Sequence, residues 1–341
     1  DAAERFSNIK ADMIEVDEYV RGIVNGKRNL LSKAITLVES TLPKHQALAQ
    51  EIITGCLPHS GNSIRVGITG VPGVGKSTFI ESLGKHLTAT GHKVAVLAID
   101  PSSRRSKGSI LGDKTRMEEL ANDPNAYIRP SASAGSLGGV AQKTREAIIL
   151  CEAAGFDCIF VETVGVGQSE TAVHSMVDFF LVLMIAGAGD ELQGLKKGIL
   201  ELADAVAVNK ADGDNMEKAE LARKQYETAL HFLTPSSLTW RPPVLTCSAL
   251  EMTGIDDIWE TVLDHRKKLT STGELEANRK RQAVDWMWAL VKEGLQERFY
   301  KNSEVKKMLP GILKEVENGT FREDLFFRLS IVTIPPSPMR S

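Results

Sequence analysis

Cysteine, aromatic side chains, an excess of either charge and long apolar runs are all scarce in this chain. Four Cys in 341 residues are too few for a disulfide framework. Cys151, Cys158 and Cys247 lie in apolar stretches and read as reduced core residues, which points to a reducing compartment. Cys56-Leu57-Pro58-His59 is the one suggestive ligand pair, and two ligands fall short of the three or four that a zinc site needs. With 41 Lys and Arg against 44 Asp and Glu, the net charge is −3. That excludes holding nucleic acid by bulk electrostatics but leaves room for a small phosphate pocket. The longest apolar run, Phe179 to Ala186, is far short of the ~20 residues that cross a bilayer, so no membrane partner is expected. The amino end shows neither a secretory signal nor an Arg-rich transit pattern. The composition, 42% hydrophobic and 25% charged, is that of a globular protein.

Three regions follow one another. Residues 1–60 read as a helical extension: Leu30, Leu31, Ala34, Ile35 and Val38 recur at helical spacing, and Pro43 stops that run. Gly55 to Asn62 reads as a linker. From 61 to 272 apolar strands alternate with helices. The strands are expected over Ile64–Thr69, Lys93–Ile99, Cys158–Glu162, Phe179–Ile185, Ala205–Val208 and Val244–Cys247. Helices are expected over Ser77–Thr90, Val140–Ala154 and Met216–Leu233. Near-continuous apolar strands alternating with helices mean an α/β fold, a mostly parallel sheet covered on both faces. Residues 273–341 read as a helical arm. Within it Glu274–Lys301 is long and charged, with Val284, Met287, Trp288, Val291 and Leu295 as a stripe at helical spacing. That stripe suits an internal core face and a dimer face equally well.

The most specific signal is Gly70-Val71-Pro72-Gly73-Val74-Gly75-Lys76-Ser77, which matches G-x-x-x-x-G-K-S between an expected strand and an expected helix. Glycines let backbone N–H groups converge on phosphate oxygens with no Cβ in the way, and the helix amino end adds its dipole. Lys76 is expected at the β- and γ-phosphates, Ser77 on Mg²⁺ and Thr78 at the α-phosphate.

Asn209-Lys210-Ala211-Asp212 follows an expected strand and matches N-K-x-D. A carboxylate at Asp212 accepts two hydrogen bonds from guanine, a pairing adenine does not offer; losing such a pair discriminates by ~10⁴ or more. Lys210 is expected to lay its stem across the base and Asn209 to brace the loop. Ser248-Ala249-Leu250, after the next strand, resembles the element whose backbone N–H meets guanine O6. Together these favour GTP over ATP.

Glu162-Thr163-Val164-Gly165 ends a strand where many GTPases carry D-x-x-G. The acid orients Mg²⁺ or its waters and the Gly165 N–H senses the γ-phosphate. Asp100 and Asp113 are further candidates for the metal; an ordinary helix cap or a solvated loop acid is the plain alternative for each. No Gln directly follows Gly165, and Gln168 lies a little beyond, so hydrolysis is expected to be slow until a partner completes the site. Gly187 to Gly194 reads either as a surface loop or as a switch that senses the γ-phosphate and contacts that partner.

Taken together, these residues resemble the metallochaperone P-loop GTPases, closest to the cobalamin-associated methylmalonic aciduria type A family. The stretches that carry the likeness are Asn29–Ser40, Gly67–Thr78, Val96–Ser103, Phe160–Glu170 and Ala186–Gly194. The resemblance implies a GTP hydrolase that takes GTP and Mg²⁺ and acts as chaperone of adenosylcobalamin-dependent methylmalonyl-CoA mutase. Such a chaperone gates cofactor delivery and protects or reactivates the mutase, meeting adenosylcobalamin only through that partner. It further implies a homodimer joined by the carboxyl-terminal arm, contact with other cobalamin-handling proteins, and residence in the mitochondrial matrix, or in the cytoplasm of a bacterial source. The sequence after Gly319 departs from the family's helical ending. A competing reading is a P-loop small-molecule kinase or transport-associated ATPase, which N-K-x-D does nothing to favour.

Overall fold

The computed structural model describes residues 15–99, 117–130, 137–163, 169–187, 197–233 and 237–318. Three helices open it: α1 (Val16–Val24), α2 (Arg28–Glu39) and α3 (Pro43–Cys56). Pro43 does not merely end a run; it begins α3, where its missing N–H costs nothing. The region expected as a linker from Gly55 is shorter, because Gly55 and Cys56 finish α3 and Leu57–His59 form a 3₁₀ turn.

The core follows as β1 (Ile64–Gly70), α4 (Lys76–Ala89), β2 (Val94–Ile99), α5 (Glu118–Asn122), β3 (Ala126–Pro130), α6 (Leu137–Ala153), β4 (Cys158–Thr163), α7 (Ser169–His174), β5 (Phe179–Ile185), α8 (Lys197–Leu200), β6 (Ala205–Asn209), α9 (Met216–His231), β7 (Val244–Thr246) and α10 (Ile255–Ser271). The seven strands form one sheet in the order β3-β2-β4-β1-β5-β6-β7, and every pairing is parallel. The expected α/β architecture is therefore present. One strand was not legible: Ala126-Tyr127-Ile128-Arg129-Pro130 is short and mixes charge and proline into its pattern. Its last residue, Pro130, is tolerated because β3 is an edge strand.

Val66 and Ile68 of β1 face a core that includes Phe79, Ile80 and Leu83 of α4 and Ile255, Ile258 and Val262 of α10. On the opposite face α6 packs against β2, and α7 packs against β1 and β4. The amino-terminal helices pack against α6 and cover the β3 edge. Arg129 pairs with Glu39 at 2.5 Å, the Lys143 ammonium donates to the Glu39 carbonyl at 2.6 Å, and Ser32 meets the Tyr127 hydroxyl at 3.2 Å. Covering an edge in this way removes a template for strand addition.

All four cysteines are buried and free, and burial pushes the Cys56 thiol up to about 11 and that of Cys247 to about 12, which agrees with reduced core residues. His59 is exposed while Cys56 is buried, so that pair offers no common ligand face. His92, Asp157 and Cys158 lie together at the amino-terminal ends of the strands; there Asp157 accepts from the Lys93 N–H and meets the His92 ring, both at 2.8 Å, as a clasp at a strand entry.

The chain divides into two compact units, 1–282 and 283–341. The long helix α11 (Glu274–Lys301) begins in the first, and α12 (Ser303–Glu317) lies in the second. No residue of α11 is buried: Val284, Met287, Trp288, Val291 and Leu295 are all more than 40% exposed. The internal-core reading of that stripe is thereby corrected, for within one chain the stripe faces solvent. No helix among the described residues is long and apolar enough to cross a membrane.

The amino-terminal ends of the central strands are locked by buried charge. Arg65 of β1 grips Glu152 of α6 through two bonds of 2.8 and 3.0 Å, and Glu152 also accepts from Ser63 and the Gly61 N–H. Arg279 of α11 grips Asp178 in the same forked manner, at 2.7 and 2.6 Å. Removing one partner of such a pair strands the other's charge and costs about 3 kcal/mol or more. Glu152→Ala should lose that much stability in urea unfolding with an unchanged denaturant slope; a loss below ~1 kcal/mol would show that this clasp does not anchor the sheet.

Candidate functional site

Parallel strands deliver all their carboxyl-terminal ends to one rim, and ligands bind where the strand order reverses. Here β1 lies between β4 and β5, while the chain runs from β1 out to β2 and β3 before returning. Gly70–Gly75, Glu162, Asn209–Asp212 and Ser248–Leu250 all sit on that rim.

Gly70 ends β1 against β5, where a Cβ would overlap the Leu183 carbonyl oxygen. The loop then turns through Gly75, the residue before α4, at φ 92°, a left-handed conformation that favours glycine. Val71 and Gly75 are half-buried and Pro72 and Gly73 exposed, while the Val74 side chain enters the core. Val74 thus offers the rim only its backbone. The Lys76 ammonium donates to the carbonyls of Gly70 at 2.8 Å and Val71 at 3.3 Å, curling over the loop it belongs to. Burial pushes its pKa down, while the carboxylates of Glu162 and Glu170 pull it up. Ser77 is half-buried and donates to Glu162 Oε1 at 3.3 Å, and Thr78 is exposed at the start of α4.

Asn209, 1% exposed at the end of β6, joins the two halves of the rim. Its Nδ2 donates to the Val74 carbonyl at 2.8 Å, and its Oδ1 accepts the Ala249 N–H at 3.1 Å. Lys210 is exposed and adopts φ 61°, held by Asn215, which donates to its carbonyl at 2.6 Å. Asp212 is half-buried and accepts from the Ser248 hydroxyl at 2.5 Å. Ser248 and Thr253 close a small antiparallel bridge, which presents Ala249 inside and leaves Leu250 80% exposed. Ser82, absent from the sequence reading, ties α4 to this loop by donating to the Ala249 carbonyl at 2.6 Å. A buried hydroxyl inside an apolar helix face was its only signal.

The structure therefore brings together the loop from Gly70 to Thr78, Glu162, Asn209, Lys210, Asp212 and the segment Ser248–Leu250. Asp100, Asp113, Gly165 and Gln168 lie outside the described residues, as do 188–196 of the expected switch and everything after residue 318. Chemically the rim offers a glycine-bearing loop ahead of a helix amino end, with the half-buried Lys76 ammonium curled over it. Beside that loop, a hydroxyl and a carboxylate lie 3.3 Å apart. A second carboxylate, that of Asp212, opens on the far side.

Known proteins match over most of the chain. A probable GTPase of Mycobacterium tuberculosis is 55% identical over 304 residues, 89% of this chain and 90% of its own. The GTPase ArgK of Escherichia coli is 49% identical over 303 residues, 89% and 92% of the two chains. The mitochondrial methylmalonic aciduria type A homolog of Mus musculus is 46% identical over 314 residues, 89% of this chain and 76% of its own. A crystal structure described as an LAO/AO transport system kinase superposes with a TM-score of 0.75 at 41% identity, covering 93% of this chain and 98% of that one. The family model described as methylmalonyl-CoA mutase-associated GTPase MeaB matches residues 31–304. With that match and a P-loop rim at the ends of a parallel sheet, the chain belongs to the MeaB family of GTPases and is a GTP hydrolase.

Proposed function

We propose that this GTPase is a chaperone of adenosylcobalamin-dependent methylmalonyl-CoA mutase, using GTP hydrolysis to gate cofactor delivery and to protect or reactivate the mutase. The observation that carries the proposal is the family match over 31–304, whose description pairs the GTPase with that mutase; the mouse relative's name, a methylmalonic aciduria homolog, points the same way. Adenosylcobalamin belongs to the partner. The chain acts as a homodimer through its arm, 273–341, where the exposed Val284, Met287, Trp288, Val291 and Leu295 supply an apolar face. Within the amino-terminal extension, 1–60, helix α2 shields the edge of the GTPase domain, 61–272. The protein resides in the mitochondrial matrix, or in the cytoplasm if its source is bacterial, and other cobalamin-handling proteins are further partners. The kinase name carried by one similar structure has less support, because the Asn209–Asp212 arrangement suits guanine.

In this reading the loop's N–H groups hold the phosphates and Lys76 swings from the carbonyls of Gly70 and Val71 to the β- and γ-phosphates. Oxygen donors suit a hard cation. Ser77 and Glu162, 3.3 Å apart, are spaced for neighbouring places around Mg²⁺, Glu162 directly or through water; Asp100 and Asp113 are further candidates for it. Bound Mg²⁺ supplies neutralisation of phosphate charge. Gly165 senses the γ-phosphate and Gln168 orients water. Asp212, held by the Ser248 hydroxyl, accepts from guanine N1–H and the 2-amino group. Lys210 flanks the base and the segment Ser248–Leu250 turns a backbone N–H to O6, with Leu250 at its outer rim.

Purified mutase should accelerate GTP hydrolysis and should be retained by the chain in a nucleotide-dependent way; a rate indifferent to mutase and no retention with GDP or a GTP analogue would end the chaperone reading. Lys76→Ala should weaken GTP binding or turnover by about two orders of magnitude with the fold intact, the loss of a buried charged contact, as isothermal titration and phosphate release would record. Asp212→Asn exchanges an acceptor for a donor, so competition binding should shift preference from GTP towards XTP by ~10²-fold or more; an unaltered preference would refute the role given to Asp212.

A further inference from the structure

Serine and threonine inside a helix ordinarily donate to the carbonyl four residues earlier, and Thr36, Thr54, Thr144 and Thr228 do so here at 2.8 to 2.9 Å. Ser82 of α4 does not. Its hydroxyl leaves the helix and donates at 2.6 Å to the Ala249 carbonyl, 167 residues away. Both residues are buried, Ser82 at 6% and Ala249 at 4% exposure. Its neighbours in α4, Phe79, Ile80 and Leu83, belong to the core, where an alanine would pack with no polar atom to satisfy. One turn further along α4 the His86 ring meets Asp256, in the first turn of α10, at 3.1 Å. One face of α4 therefore meets both the base segment and the helix that follows it.

The bonds within the segment commit most of its own donors. The Ser248 N–H goes to the Thr253 carbonyl at 3.0 Å, the Ala249 N–H to Asn209 at 3.1 Å and the Glu251 N–H to the Ser248 hydroxyl at 3.1 Å. The Leu250 N–H has no acceptor among the described residues, and Leu250 is exposed. A trans peptide is planar, with its C=O and N–H directed oppositely. Fixing the Ala249 carbonyl on α4 thus aims the Leu250 N–H away from α4. Without the Ser82 hydroxyl that carbonyl would be buried and unsatisfied, and the peptide plane would turn towards water.

We infer that Ser82 is a positioning residue for base selectivity: by holding the Ala249 carbonyl against α4, it fixes the 249–250 peptide so that the Leu250 N–H stands ready for the 6-oxo group of a purine. Ser82 touches no nucleotide atom, and its part rests on Ser248–Leu250 being the segment that meets guanine O6. Lys76 opens the same helix, so the phosphate and base ends of a nucleotide are both referred to α4.

The test is isothermal titration of the full chain with GDP and with 2-aminopurine riboside diphosphate, which keeps the 2-amino group and lacks the 6-oxo group. It compares the parent with Ser82→Ala, Ser82→Thr and Ser82→Val. Ser82→Ala should weaken GDP by about five- to tenfold, the scale of one hydrogen bond, and leave the analogue's affinity nearly unchanged, so the preference for GDP shrinks by the same factor. Thr and Val share a shape and differ in the hydroxyl, so they load the packing alike. Ser82→Thr should keep the parent's preference, and Ser82→Val should lose it as Ser82→Ala does. Equal weakening of both nucleotides, an unaltered preference in Ser82→Ala, Thr and Val variants with the same preference, or an Ala variant that fails to fold would each overturn the proposal. If the parent itself does not prefer GDP to the analogue, the reading of Ser248–Leu250 falls with it; if the parent does and only the Ser82 comparisons fail, that reading stands and this proposal alone is lost.

Discussion

One buried amide holds the rim together. Asn209 sits at the end of β6 and bonds with opposite ends of its side chain to the Val74 carbonyl and the Ala249 N–H. The Gly70–Gly75 loop and the Ser248–Leu250 segment, 175 residues apart in sequence from Val74 to Ala249, thereby share a single rigid reference. Asparagine suits the place because it offers a donor and an acceptor on one short planar group. An aspartate there would lose the bond to Val74, and a leucine would leave both backbone groups unsatisfied in a buried setting. The arrangement works only because β6 is in parallel register with β5 and β7, which brings the end of each strand to the same height.

The two ends of the sheet are built differently. At the amino-terminal ends, half-buried guanidinium groups of Arg65 and Arg279 each hold a buried carboxylate, Glu152 and Asp178, through two bonds. Asp204 and His265 add to this end, 3.6 Å apart. Burial pushes Asp204 up to about 7 and His265 down to about 4, so their contact has less ionic character than the Arg pairs, and the Phe180 N–H donating to Asp204 at 2.8 Å is its firmer bond. At the carboxyl-terminal rim the side chains instead form bonds that a ligand can exchange: Lys76 with loop carbonyls, Ser77 with Glu162, Ser248 with Asp212. Rigidity at one end and exchangeable bonds at the other are what a nucleotide site on a parallel sheet requires.

Residue pattern and tertiary placement contributed in different ways. The strands Phe179–Ile185 and Ala205–Asn209 were legible because strands buried on both faces are nearly continuous apolar runs. The phosphate loop was legible because its glycines and Lys76 answer to local chemistry. Strand β3 was not: Arg129 faces Glu39 across 90 residues of sequence, and only that partner explains a charge in so short a strand. The stripe on α11 was ambiguous for the same reason, since periodicity says which residues share a face and not what the face meets.

By itself the sequence determined the α/β alternation and the G-x-x-x-x-G-K-S and N-K-x-D motifs at strand ends, because each depends on residues within a few positions of one another. Only the tertiary structure decided which distant groups meet: Asn209 with Val74 and Ala249, Ser82 with the Ala249 carbonyl, Ser77 with Glu162. Contacts of that range are set by strand order and register, and a β1 flanked by β4 and β5 follows from how the whole sheet packs rather than from any local run of residues.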